Sequence, residues 1–281
     1  MTKKQGILKV ALLQLCAGEN KATNVEQAVG MAQEALRQKA RFVLLPEVFS
    51  FRGEGKNKEQ IRGAAEKIPG ASTAVFMPLA RQYKAAFLLG SILESSQGNN
   101  VYNTSVFIDP SGQITACYRK IHLFHARLGD KIIREAAGLL PGRRLMTAKA
   151  GQFRIGLSIC YDLRFPGLYQ NYGRRGVEIL TVPSCFTQKT GEAHWEALLR
   201  ARAIENLCYV LAPAQVGKSV QGMQAYGHSM IVSPWGKVLA CGSAGGQEIV
   251  FGEINLEEVR KARSALPGIV KSEENLPNTR C

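Results

Sequence analysis

No stretch of the 281 residues approaches the ~18 uninterrupted apolar residues of a membrane-spanning helix, so no membrane partner is expected. Met1 to Gln5 lacks the apolar centre of a secretory leader, which predicts a cytoplasmic location. No repeat of about 20–50 residues and no Pro/Gly/Ser-rich linker divides the chain, so residues 1–281 read as one domain. The seven cysteines (Cys16, Cys117, Cys160, Cys185, Cys208, Cys241 and Cys281) are odd in number and widely spaced, with no Cys-x-x-Cys pair and no grouping with the four histidines. That pattern excludes a zinc site and a disulfide framework, and no metal is expected. Acidic residues are short, 22 against 36 Lys+Arg, for a net charge of +14. Such a charge makes nucleic acid the first partner to weigh. The basic residues are scattered, however, and neither a basic tail nor a recognition motif accompanies them, so no nucleic acid is expected.

What is present is an alternation of helices and strands. Ile7 to Leu15 reads as a strand. Asn24, with Gln27 three residues on, reads as the cap of a helix whose apolar face is Val25, Ala28, Met31, Ala32, Ala35 and Leu36. Strand Phe42 to Leu45, helix Thr73 to Tyr83 and strand Ala86 to Ile92 follow. Val101 to Ile108 and Gln113 to Tyr118 read as a hairpin across Asp109-Pro110-Ser111-Gly112. Next come strand Phe153 to Ile159, a short helix after Pro166, strand Ile179 to Val182 and helix Ala193 to Leu207. Strands Tyr209 to Ala212, Ser229 to Val232, Lys237 to Ala240 and Ile249 to Ile254, then a helix over Leu256 to Leu266, close the chain. Hairpins mixed with helical crossovers point to layered α/β packing with mixed sheets.

Three polar residues stand where an apolar strand ends: Glu47 after Phe42-Val43-Leu44-Leu45-Pro46, Lys120 after Ile114 to Tyr118, and Cys160 after Ile155 to Ile159. Ligands of open α/β sheets bind at the carboxyl ends of strands, so the three could converge in one cleft. A nearby ammonium and a strand-to-helix turn would favour the Cys160 thiolate, and free N–H groups at that turn could stabilise an oxyanion. Glu47 can then serve as general base and Lys120 as the positive charge facing the oxyanion.

The segments LLPEVFS (44 to 50), YRKIHLF (118 to 124) and LSICYDLRFP (157 to 166) resemble, in order, the three motifs of the nitrilase superfamily of carbon–nitrogen hydrolases. PSCF (183 to 186), HWEALLRARAIEN (194 to 206) and YGHSMIVSPWGKVLA (226 to 240) extend the resemblance over nearly the whole chain. It is strongest to the deaminated glutathione amidases, with the omega-amidases second. The resemblance implies a four-layer αββα sandwich with two mixed β-sheets, a homodimer or higher homo-oligomer, and cofactor-free hydrolysis of a non-peptide amide. By position it assigns catalytic roles to Glu47, Lys120 and Cys160, and a second active-site glutamate to Glu135. Tyr161, Arg164 and Phe186 fall to substrate or oxyanion binding. Gly167 stands where the family usually carries Glu, which removes a partner for Arg164, and the lid from His125 to Arg134 resembles neither subgroup.

Other features have plainer readings. Ala212-Pro-Ala-Gln-Val-Gly217-Lys218-Ser219 is a relaxed P-loop pattern without its first glycine, better read as a surface loop. His122 and His125 lack further metal ligands, and His122 is expected to pack beside Lys120 as a structural donor. Glu196 and Arg200 have the spacing of a surface ion pair, while His194 and Glu196 could also support the pocket wall. From Arg119 to Arg144 the chain carries seven Lys/Arg against two Asp/Glu, a basic lid suited to an anionic substrate. The expected substrate is therefore a small carboxylate-bearing amide. Deaminated glutathione comes first, then alpha-ketoglutaramate or succinamate, then an N-carbamoyl compound. A non-catalytic basic scaffold is the reading from another class. The helix around Leu168 to Tyr172, the C-terminal helix and the tail are the expected subunit contacts.

Overall fold

The computed structural model describes residues 6–53, 58–128, 131–219 and 222–267. Cys281, the C-terminal tail and the Met1 to Gln5 segment lie outside the described residues, as does the tip of the 125–134 segment.

Two six-stranded sheets carry the architecture. The first has the spatial order Glu248–Asn255, Ile7–Gln14, Phe42–Leu44, Ala86–Ser95, Val101–Ile108 and Ile114–Arg119. The second runs Val238–Cys241, Met230–Val232, Tyr209–Ala212, Ile179–Thr181, Phe153–Leu157 and Thr147–Ala150. Both mix parallel and antiparallel pairs. Because side chains alternate across a strand, each sheet has two faces to cover. Val10, Leu12, Phe42, Leu44, Leu88 and Phe107 of the first sheet share one buried cluster with Ile155, Leu157 and Ile179 of the second. Their neighbours Ala11, Leu13, Val43, Phe87 and Leu89 point the other way, onto Ala28, Ala32, Ala35, Phe76 and Leu79 of the covering helices. Helices Pro166–Arg174 and Gln188–Asn206 cover the second sheet with Tyr169, Tyr172, Trp195, Leu199 and Ala203. The result is the αββα sandwich with two mixed sheets.

Several local expectations change. Helix Lys21–Arg37 is capped by Asn20, which accepts from Thr23 N–H at 3.1 Å. Asn24 is buried inside the helix and binds Gly18 and Ser50 with its side chain, because tertiary partners outbid its local capping tendency. The helix expected over Thr73 to Tyr83 is two pieces, Ala71–Ala74 and Phe76–Tyr83. Pro78 lacks the N–H that would bond Ala74, and its ring crowds that carbonyl, so the helix breaks between them. Gln188–Asn206 starts five residues before the expected Ala193. Lys58–Ala64, Thr147–Ala150 and the hairpins His125–Leu128/Lys131–Arg134 and Val216–Lys218/Gln224–Tyr226 had no sequence assignment. The second of these hairpins takes in the P-loop-like segment, and buried Arg52 donates to the carbonyls of Val216, Gly217 and Met223. Leu168, Tyr169 and Tyr172, expected at a subunit contact, are buried within the chain, so only Gln170 and Asn171 of that stretch are exposed. No described helix is long and apolar enough to cross a membrane.

Candidate active site

Strand direction decides which residues can meet. Phe42–Leu44 is parallel to Ala86–Ser95, Val101–Ile108 is antiparallel to that strand, and Ile114–Arg119 reverses again. Glu47 and Lys120 therefore leave the same end of the first sheet. Asn103, near the start of the reversed strand, lies at that end too. From the second sheet, strand Phe153–Leu157 delivers Cys160 through Ser158 and Ile159.

The Glu47 loop is held by close approach. Leu45 N–H donates to Leu88, Ser91 N–H to Pro46, and Ser91 Oγ accepts from Val48 N–H at 2.9 Å. A side chain on Gly90 would stand 1.9 Å from the Leu45 carbonyl, so only glycine permits this crossing. Val48 sits at φ 50 and Cys160 at φ 47, a left-handed conformation that disfavours side chains and is worst for a β-branched one. Strain thus adjoins the Glu47 carboxylate and falls on Cys160 itself. At Lys120, Gly142 N–H donates to the Lys120 carbonyl at 2.8 Å. A Cβ on Gly142 would fall 2.1 Å from the Arg119 oxygen, so that crossing also requires glycine.

Lys120 Nζ lies 2.8 Å from Glu47 Oε1 and 2.8 Å from Glu135 Oε2. Asn103 Nδ2 donates to Glu47 Oε1 and Glu135 Oε1, each at 3.0 Å. Cys185 N–H donates to Glu47 Oε2 at 2.9 Å, and Phe124 N–H to Glu135 Oε2 at 2.6 Å. Lys120 and Glu47 are almost fully buried, a setting in which unpaired charges would be prohibitive. Burial works against the ammonium, but Glu135 and then Glu47 outweigh it and hold Lys120 well above its usual pKa. Burial likewise pushes Glu135 up, and Lys120, with the Phe124 and Asn103 donors, brings it below its usual value.

Cys160 departs from the thiolate expectation. Burial first and the facing Glu47 carboxylate second push its thiol well above the ordinary range, and Lys120 opposes them without prevailing. Burial and the Glu47 carboxylate thus favour the protonated thiol. Cys160 opens the 3₁₀ turn Cys160–Arg164, so the Tyr161 N–H is a first-turn donor that no carbonyl of the turn can accept.

Sequence reasoning passed over the group that ties this turn down. Asp162 is fully buried and accepts from Tyr118 OH at 2.7 Å, Ile159 N–H at 2.9 Å, His122 N–H at 2.9 Å and His122 Nδ1 at 2.7 Å. Its carboxylate links the Cys160 turn to the segment that presents Lys120. His122 is thus a structural donor, as expected, anchored on Asp162 and stacked 3.6 Å from Phe165. Asn103 was passed over too, although a polar residue sharing a strand face with buried Phe107 was a signal.

The rim is looser. Arg164 Nη1 lies 3.2 Å from His194 Nδ1, and the guanidinium stands 5.2 Å from the Phe186 ring and 5.9 Å from the Tyr161 ring. His194 is thus the polar side chain that meets Arg164. Glu196 pairs with Arg200 at 3.3 Å on an exposed face and takes no part in the site. Tyr161 OH donates to the His125 carbonyl at 3.2 Å, and Glu135 N–H to Phe124, so the 125–134 hairpin is fastened at its base. Among the described residues no His/Cys/Asp/Glu group could hold a metal ion.

Comparison with known proteins places this geometry. The carbon–nitrogen hydrolase profile matches residues 9–264. The omega-amidase of Homo sapiens is 39% identical over 92% of both chains. The deaminated glutathione amidase of Synechocystis is 37% identical over 92% of this chain and 96% of its own. Saccharomyces cerevisiae Nit3, a member of branch 10 of the nitrilase superfamily, superposes with a TM-score of 0.82 at 31% identity, over 93% of this chain and 95% of its own.

Proposed function

The chain belongs to the carbon–nitrogen hydrolase family of the nitrilase superfamily and is an amidase of non-peptide bonds, and from that premise we propose that Cys160 is its nucleophile, with Glu47, Lys120 and Glu135 completing the catalytic set. The observation that carries this is the buried Glu47 carboxylate, held at one oxygen by Lys120 and at the other by the Cys185 N–H, facing the buried Cys160 thiol.

In acylation Glu47 takes the thiol proton as sulfur bonds to the amide carbon and the carbonyl electron pair moves to oxygen. A raised thiol pKa suits this order, because the proton leaves only when the sulfur attacks. Lys120 has three N–H donors, two of which go to Glu47 and Glu135, and the third meets the oxyanion with the Tyr161 N–H. As the tetrahedral intermediate collapses, the C–N bond breaks and Glu47 passes its proton to the leaving nitrogen, releasing ammonia and leaving a thioester. Water then attacks the thioester, Glu47 again taking the proton, and the acid departs while the Cys160 thiol is restored. Glu135 holds Lys120 throughout.

The substrate is a small amide bearing a carboxylate, which Arg164 receives at the rim beside Phe186, aided by the basic 119–144 segment. Deaminated glutathione is the first choice, and alpha-ketoglutaramate or succinamate the second. Relatives of both kinds stand at nearly equal identity, so the assay decides between them. The enzyme works as one domain, in the cytoplasm, as a homodimer or larger homo-oligomer. Parallel kcat/KM measurements on deaminated glutathione, alpha-ketoglutaramate, an N-carbamoyl amino acid and an aliphatic nitrile test the substrate class. Preference for the nitrile, or for an uncharged amide, would overturn it.

A further inference from the structure

The catalytic cluster has one ammonium and two carboxylates, an excess of one negative charge in a nearly dry site. Lys120 alone cannot keep both carboxylates ionised and apart. The only uncharged side chain that touches both, among the described residues, is Asn103, 1% exposed. Its two N–H groups are divided, one to each glutamate, while its own carbonyl oxygen is buried without a hydrogen-bond partner. An orphaned buried acceptor is costly, so the arrangement is one the surrounding groups must enforce. Reversing the amide would cost more, since it would aim an oxygen at two carboxylate oxygens. The Asn103 backbone carbonyl also accepts from Lys120 N–H at 2.8 Å, so one residue fixes both the lysine's strand and the groups around its ammonium.

We propose that Asn103 is a positioning residue for the amidase reaction, which holds Glu47 and Glu135 on opposite sides of Lys120 and keeps Glu47 aimed at Cys160 as the base. The inference rests on Glu47 and Glu135 having the roles proposed above. The chargeable groups that face the Asn103 amide are Glu47 from the first sheet, Glu135 from the hairpin base and Lys120 between them, with Cys160 beyond Glu47. Without the amide, Glu135 loses a donor that favours its ionised form and so retains a proton to higher pH, while Glu47 loses the hydrogen bond that fixes its direction. A protonated Glu135 holds Lys120 less firmly, and the arrangement that keeps Glu47 on Cys160 becomes scarcer.

The test uses the full chain with Asn103→Ala and Asn103→Asp, read by pH profiles of kcat/KM, separate kcat and KM on a carboxylate-bearing amide, and thermal melting. Asn103→Ala should lower kcat about 30-fold or more, leave KM within about 3-fold, and move the acid limb of the profile to higher pH by about one unit. Asn103→Asp keeps the shape but adds a third carboxylate, and should be impaired at least as much at neutral pH. A space-filling role would instead leave Asn103→Asp near wild-type activity. Activity within 3-fold in Asn103→Asp, or an acid limb unmoved in Asn103→Ala, overturns the proposal. Failure of both variants to fold overturns it as well, since the amide would then serve the fold and not Glu47. Glu47→Gln, assayed beside them, separates the two levels. If it stays active the catalytic assignment itself falls, whereas an inactive Glu47→Gln beside active Asn103 variants removes only this inference.

Discussion

The buried cluster and the rim of the site, neighbours in space but far apart in the chain, follow opposite physical rules. Around Lys120 the charged groups, Lys120 and Glu47 buried and Glu135 largely so, are answered at 2.6 to 3.0 Å by partners from other elements. At the rim, Arg164 is half-buried, its close polar contact is exposed His194, and its other neighbours are ring faces. Inside, pairing is compulsory because an unanswered charge has no water to turn to. Outside, water substitutes for a partner, so residues there can change without collapse. The proposed chemistry thus lies in the part that tolerates least, and the proposed substrate contact in the part that tolerates most.

Substitutions can break or sharpen that contrast. Cys160→Ala should produce the largest loss, about 10⁴-fold or more in kcat, and intact mass should show no acyl adduct on the variant. A variant with full turnover would end the nucleophile assignment. Lys120→Met should cost about 3–5 kcal/mol in urea unfolding, because two buried carboxylates lose their counter-charge, besides abolishing turnover. If stability held, the cluster would not be the obligate unit described. Arg164→Met should raise KM for the carboxylate-bearing amide about 10–30-fold while kcat stays within about 3-fold. An equal loss on an uncharged amide would move Arg164 from the rim into the chemistry.

The smallest effect concerns acid stability. Glu135 titrates below its ordinary value of 4.5 in the folded chain, so its contribution is present above pH 4.5 and is lost as pH falls through the folded value. Melting temperature should decline over that acid range. Glu135→Gln should flatten the decline, and an unchanged slope would show that other carboxylates govern it.

The polar ends of three apolar strands were legible because strand termini and the ligand-binding edge of α/β sheets are local facts joined by a general rule. Boundaries failed where a distant partner intervened. Asn24 has the chemistry of a cap, but Gly18 and Ser50 claimed its side chain. Cys160 has a neighbouring ammonium, yet the depth of burial and the Glu47 carboxylate reverse the expected thiol state, and neither depth nor distance is written in residue order.

Strand alternation, the turn at Asp109 to Gly112, the three motif segments and the family were all determined by the sequence alone, since each depends on residues within a few positions or on their order. The tertiary structure alone decided that Asn103 would divide its amide between two carboxylates, that Asp162 would tie the Cys160 turn to the lysine's segment, and that His194 would meet Arg164. Those contacts span 30 to 56 residues in their longest cases. They exist because two sheets pack face to face and bring ends together that the chain holds far apart. Short-range preferences of about 1 kcal/mol select an element, while the cost of burying a charge without a partner selects which distant residue must meet it.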